Sequence, residues 1–425
     1  MMRLFPVLKA LRFNNRSTSE LQAIPRGEWP ALLRATDHHG LTLPLGIRCR
    51  ELLPPLIEAR IQHNLTSNAE RHSRLVTAHA EIAALLHSRA LPFVILKGLT
   101  KSQYYASDLR FRPQYDIDIY LPERALTVAS HVVETLGYEA LPEGHGRKAD
   151  HLPRMIRKTG WKWREDYYDP EMPTALELHF QFWNEASEGF GVGDLTPFWT
   201  RRVVRDVGGM QLPALNRADA LSYSTLHLVR HLFQGALQLH HVYEMAHFLD
   251  ASAFDDAFWR EWSCSGLPGC RVIEGIAFRL AMEWFHCTIH PAARNAVDQL
   301  PSHVNRWFDL FGMSPALIAG PANKNELFLH LSLISRKEDR RRIAIGRLFP
   351  EHNGSVVLDA HVRRDRLNLR QRLRGRAYEF GFKLKRTGYH TLTLLSILRS
   401  SLRWWTSLPF TSPVSRSRPA RSGLP

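Results

Sequence analysis

Phe93-Val94-Ile95-Leu96-Lys97-Gly98, followed downstream by Arg112-Pro113-Gln114-Tyr115-Asp116-Ile117-Asp118-Ile119-Tyr120, is the part of this chain whose reading decides the fold. Side chains alternate faces along a strand, so Asp116 and Asp118 point one way while Tyr115, Ile117 and Ile119 point the other. Two carboxylates side by side repel each other unless a cation sits between them. Hard divalent ions such as Mg²⁺ (or Mn²⁺) take oxygen ligands of this kind, usually alongside substrate phosphates. The segment therefore reads as a metal–phosphate site at the edge of a sheet. The plainer alternative is a strand whose acidic face is only solvated, because Asp-x-Asp is short and common.

Working outward, a third carboxylate lies in the similar run Ala175-Leu176-Glu177-Leu178-His179-Phe180. There Leu176, Leu178 and Phe180 share one face, and Glu177 and His179 share the other. His179 is a secondary candidate: a partner to the carboxylates, a phosphate contact or a base. Upstream, Phe93 to Leu96 reads as a compact buried strand, and Lys97-Gly98-Leu99-Thr100 as a turn into a short helix reaching about Ala106. Gly98 lets backbone approach a ligand, and Lys97 is a point charge suited to phosphate. Arg112 either meets phosphate, braces the carboxylates or makes a structural ion pair.

Pro122-Glu123 opens a helix that Gly137 closes. Trp161 to Tyr168 is expected to pair with Thr174 to Phe182 as a hairpin. Arg201 to Asp206 and Met210 to Leu212 flank a Gly208-Gly209 turn and form a second hairpin. Asp219 is expected to cap the next helix. That helix carries His227 and His231 on one face at i and i+4. The intervening Leu228-Val229-Arg230 lacks the residues of a zinc-protease motif, so packing or a polar contact to the core is the preferred reading of the pair.

The 425 residues are 44% hydrophobic and 23% charged, ordinary for a globular protein with room for more than one core. Cys49, Cys264, Cys270 and Cys287 lack metal-like spacing and read as free thiols in a reducing compartment. There is no signal-peptide pattern and no run of 18 apolar residues, so a cytoplasmic location is expected. Residues 361–425 hold fifteen Lys or Arg against Asp365 and Glu379, net +13 of the chain's +15. The rest is nearly neutral, so the charge is no argument for nucleic acid at the core. The basic stretch and the apolar, Trp-bearing run from Leu392 to Trp405 suit an anionic membrane surface or an acidic partner, through 361–410, as well as a solvated tail. Four regions follow: a helical 1–90, an α/β core over 91–215, a helical 216–352 rich in core-spaced Trp and Phe, and a basic tail over 353–425 with a boundary at Asn353-Gly354-Ser355.

Phe93 to Gly98, Arg112-Pro113, Asp116-Ile117-Asp118, Gly137-Tyr138 and Leu176-Glu177-Leu178-His179 together resemble the bacterial uncharacterised nucleotidyltransferase family, of the DNA polymerase beta-like nucleotidyltransferase superfamily. Asn68, Arg71, His227, His231 and Val242-Tyr243-Glu244 extend the resemblance on both sides. It implies an α+β fold, with a small mixed sheet as nucleotidyltransferase core and large helical additions at both ends. It also implies that Asp116, Asp118 and Glu177 hold two Mg²⁺ ions, that NTP is the donor, and that Lys97, Gly98 and Arg112 meet its phosphates. Lys97-Gly98 stands where superfamily members commonly carry Gly-Ser. That departure keeps a second expectation open: a catalytically silent binding or scaffold protein of a biosynthetic cluster. A metal-dependent phosphohydrolase or glycosyltransferase ranks last, since only one convincing strand precedes Asp116. The acceptor is not legible in the sequence.

Overall fold

The computed structural model describes residues 4–101, 104–106, 108–141, 150–157, 159–265, 267–317, 324–348 and 369–406. Seven strands make one mixed sheet: β1 (Val94–Ile95), β2 (Asp116–Tyr120), β3 (Tyr138–Ala140), β4 (Met155–Arg157), β5 (Ala175–His179), β6 (Val203–Val207) and β7 (Met210–Ala214). Their spatial order is β3-β4-β5-β2-β1-β7-β6. The β2–β5 and β1–β7 pairs are parallel, and the other neighbours are antiparallel. A mixed sheet with mostly helical sequence on either side agrees with the α+β expectation.

The alternation in β2 and β5 does what it implies. Ile117, Ile119, Leu176 and Leu178 enter a core with Leu75, Ile82 and Leu86 of the long helix Pro55–Ser88 and Ala129 and Val133 of the helix Glu123–Glu134. Both helices cover one face of the sheet, which leaves the acidic face of β2 and β5 turned the other way. A second core joins the N-terminal helices, through Leu8, Trp29 and Leu45, to the helices Arg217–Gln234, Leu239–Ala251 and Arg271–Phe285. Trp259, Trp284 and Trp307 are fully buried there, as core residues.

Five expectations need correction. The β2 strand is central in the sheet, not at its edge. The antiparallel partner of β5 is β4, paired Met155 to Leu176, while Trp161 to Tyr168 forms no strand. Alternating aromatics there imitated a strand; Trp161 instead donates to Asp169 Oδ2 (2.8 Å) and Trp163 packs on Tyr167. After Lys97 the chain makes one 3₁₀ turn, Gly98–Thr100, rather than a helix to Ala106. The helical spacing of Leu75, Val76, Ala78, Ile82, Leu85 and Leu86 predicts a helix over 66–90, and the helix observed begins earlier, at Pro55. Asn216, not Asp219, caps the helix Arg217–Gln234; its Oδ1 accepts from Asp219 N at 2.8 Å, and the buried Asp219 pairs with Arg201.

The Gly208-Gly209 hairpin is present between β6 and β7, with both glycines at positive φ. The four cysteines are free. Among the described residues, no helix is long and apolar enough to cross a membrane. The helix Leu369–Thr406 seats Trp404 against Phe328 while leaving Leu392, Leu395, Leu398, Leu402 and Trp405 exposed. The boundary at Asn353-Gly354-Ser355, the arginine side chains between 363 and 376, and everything after 406 lie outside the described residues.

Candidate active site

The parallel register of β2 and β5 sets Asp118 directly beside Glu177 and Tyr120 beside His179. Asp116, two residues back on the same face, lines the rim of a cleft. Antiparallel pairing of β1 with β2 brings Lys97 to these carboxylates, with Leu96 N donating to Asp118 O at 3.0 Å. Lys97 Nζ lies 3.1 Å from Asp118 Oδ2, 3.5 Å from Asp116 Oδ2 and 3.0 Å from His227 Nε2.

Charge on this face is closely balanced by the protein itself. His179 Nε2 stands 3.1 Å from Asp118 Oδ1 and 3.5 Å from Glu177 Oε2, and its Nδ1 is 3.6 Å from Asp150 Oδ2. Arg154 pairs with Glu177 at 2.6 Å, and Arg230 pairs with Asp150. Four carboxylates, Asp116, Asp118, Glu177 and Asp150, thus face Lys97, His179, Arg154 and Arg230. Burial raises the Asp116 carboxyl, aided by the like charge of Asp118, to about 6 despite Lys97. Burial also opposes ionisation of Asp118, but Lys97 and His179 outweigh it and hold that group below the usual range. Glu177 is held well below its ordinary value in the same way, burial being overcome by His179, Arg154 and Lys97. The imidazolium of His179 is disfavoured by burial, yet Tyr223 and the three carboxylates around it push the group well above its ordinary value.

The cleft has a volume of about 450 Å³ and is walled by Lys97, Gly98, Lys101, Arg112, Gln114 and Asp116 on one side and His227, His231 and His241 on another. Gly98 has φ +74°, and a Cβ there would stand 2.2 Å from Gln114 Nε2. The missing side chain lets Gln114 donate to Asp116 O at 2.8 Å, which fixes the start of β2. Arg112 does not reach the carboxylates of β2. Its Nε donates to Glu244 Oε1 at 2.7 Å, and Lys101 Nζ donates to Glu244 Oε2 at 2.6 Å. Burial works against the Glu244 carboxylate, but Arg112 and Lys101 hold it down at about 2, while burial lowers Lys101 to about 8. Asn68 donates to Arg110 O (2.7 Å), and Arg71 donates to Tyr167 O (2.8 Å) and lies over the Tyr115 ring, so the long helix anchors this loop.

Three imidazoles complete the cleft. His227 and His231 come from the helix Arg217–Gln234 and His241 from Leu239–Ala251, all half-buried. Burial, followed by the charge of Lys97, lowers His231 to about 4 and His227 well below its ordinary value; burial and neighbouring histidines do the same to His241. All three are neutral at pH 7.

The expected residues Lys97, Asp116, Asp118, Glu177 and His179 therefore come together, with Gly98 and Arg112 in the adjoining wall. Sequence reasoning missed Asp150, Arg154, Arg230, Lys101 and Gln114. No periodicity marks Asp150 or Arg154, and Arg230 drew notice only as a residue between His227 and His231. The donor set fits a hard divalent cation. Asp118 Oδ2 is buried and met by the Lys97 ammonium at 3.1 Å, a cation position that a metal would take over, and Asp118, Glu177 and His179 offer ligand atoms within 4.8 Å of one another.

A family model described as uncharacterised nucleotidyltransferase matches residues 25–286, more than half of the chain. The chain belongs to that family. The match takes in the sheet, the cleft and both histidine-bearing helices. No curated protein and no solved structure shows significant similarity to it.

Proposed function

We propose that this protein transfers a nucleoside monophosphate from an NTP to an acceptor, on a core of the DNA polymerase beta-like kind. The observation that carries this reading is the register of β2 and β5, which puts Glu177 beside Asp118 with Asp116 at the cleft rim. Asp116, Asp118 and Glu177 are the residues that would hold Mg²⁺ or Mn²⁺. When bound, such ions activate an acceptor hydroxyl and stabilise the pyrophosphate leaving group. Lys97 holds the two aspartates together in their absence and, once released by a stronger cation, is placed to meet phosphate at the cleft. His179, gripped by Asp118 and Asp150, keeps the Asp118 carboxylate oriented and charged. Lys101 and Arg112 add positive charge to the wall beyond Asp116, tempered by Glu244. Gly98 is the point where backbone approaches the ligand.

The test is calorimetric titration with non-hydrolysable NTPs, with and without Mg²⁺, on the parent chain and on Asp116→Ala/Asp118→Ala. Binding that requires both metal and aspartates is expected. One observation favours a second reading. The four carboxylates are already met by four protein cations, as in a catalytically silent binding protein whose acidic site has become structural. Metal-independent nucleotide binding, or none, in the same titration would favour that reading.

A further inference from the structure

The carboxylate face does not account for His227, His231 and His241. Their ligand nitrogens all lie within 4.8 Å of one another. His227 Nε2 and His231 Nε2 are 3.2 Å apart. Two nitrogens bound at 2.0–2.1 Å to one tetrahedral zinc ion stand about 3.3 Å apart, so this pair already has the spacing of two ligands on one metal. The i, i+4 step on a single helix sets that spacing, and His241 approaches from the next helix with its ring parallel to His231 at 5.4 Å. Among the described residues His231 Nδ1 has no hydrogen-bond partner, and His231 Nε2 meets the imidazole of His227 rather than a carboxylate or backbone group. All three rings line the cleft, which leaves a fourth position open to it.

We infer that His227, His231 and His241 form a site for a borderline transition-metal ion of the zinc class, separate from the oxygen site on β2 and β5 and open to an oxygen or phosphate ligand in the cleft. Nitrogen donors suit zinc, cobalt, nickel or copper, whereas the carboxylates suit magnesium or manganese, so donor type keeps the two sites apart. Lys97 opposes occupancy, because its ammonium now donates to His227 Nε2. Removing that charge must tighten the site.

The experiment titrates the full chain with Co²⁺, following visible d–d absorption, and with Zn²⁺ against a chromophoric chelator. One equivalent with tetrahedral Co²⁺ bands is expected. His231→Gln and His241→Gln should each weaken it by more than about 100-fold, beyond the loss seen when only an outer partner of a ligand is removed. Lys97→Met should strengthen it, and Asp116→Asn/Asp118→Asn should leave the bands in place. Circular dichroism on each variant separates lost binding from lost folding. Absence of Co²⁺ bands in the folded parent, or bands that survive both histidine variants, would overturn the inference. So would bands that vanish with the aspartates, since the metal would then belong to the oxygen site. The proposed transferase activity can fail without touching this result, because the readout is metal spectroscopy.

Discussion

The two walls of the cleft differ in kind. On the carboxylate side, Asp116 and Lys97 reach the cleft while the other acids and cations interlock behind them, Asp118 is only 1% exposed, and the donors are oxygens. On the imidazole wall the groups are nitrogens, neutral at pH 7 and, among the described residues, without a carboxylate within ion-pair distance. Lys97 touches both, 3.1 Å from Asp118 and 3.0 Å from His227. The contrast teaches that one lysine acts on both walls, on top of the burial that shifts each of them. It strengthens ionisation of the acids it neutralises and suppresses protonation of the histidines it faces. A cation that displaces it changes the two sides together.

Breaking the carboxylate wall at its buried member should have the largest effect. Asp118→Ala leaves Lys97 and His179 without their shared partner and is expected to cost about 3–5 kcal/mol in urea unfolding, the usual penalty for orphaning a buried charge. Asp116→Ala, at the solvent-facing rim, should cost less than about 1 kcal/mol while abolishing metal-dependent nucleotide binding. Equal losses would show that the wall is not graded by burial. Gly98→Ala comes next. A side chain at φ +74° is strained and its Cβ collides with Gln114, which predicts a loss of about 1–3 kcal/mol and a displaced Asp116, read as a lower unfolding midpoint and weaker nucleotide binding.

The two walls also titrate in opposite directions. Asp116 has a folded value near 6, above its ordinary one, so its contribution to stability falls as pH rises from about 4 to 6. His231 has a folded value near 4, below its ordinary one. The unfolded chain binds that proton first, so stability rises with pH from about 4 to 6.5. Urea midpoints across this range should therefore lose part of their rise in His231→Gln and gain slope in Asp116→Asn. A flat difference between either variant and the parent would remove the proposed asymmetry. Nucleotide binding through Asp116 should strengthen as pH passes 6. The smallest effect belongs to Asn216→Ala, which unties the start of the helix carrying His227 and His231. It should cost about 1 kcal/mol and leave the carboxylate wall unchanged by chemical-shift mapping.

Legibility followed range. The period-2 pattern of β2 and β5 gave the faces of Asp116, Asp118, Glu177 and His179, because alternation is a property of the local backbone. The Gly208-Gly209 hairpin was legible for the same reason. The pairing of β5 was not, since Met155–Arg157 is only three residues long and Trp161 to Tyr168 carried the stronger aromatic signal. The cap at Asn216 was missed because Asp219 is an equally good capping residue by type, and only geometry decides which carbonyl meets which amide.

For this chain, local chemistry determined which residue types could hold a cation and which face of each strand they occupy. The i, i+4 spacing determined that His227 and His231 share a helix face. Tertiary structure decided who meets whom: Glu177 beside Asp118 through a parallel pairing 59 residues apart in sequence, Arg112 turned to Glu244, Asp150 and Arg230 drawn in behind His179, and His241 brought to the other imidazoles. Charge interactions act across space with no trace in sequence spacing, so nothing in the sequence around Lys97 shows that it is the counter-ion of one wall and the hydrogen-bond donor to the other.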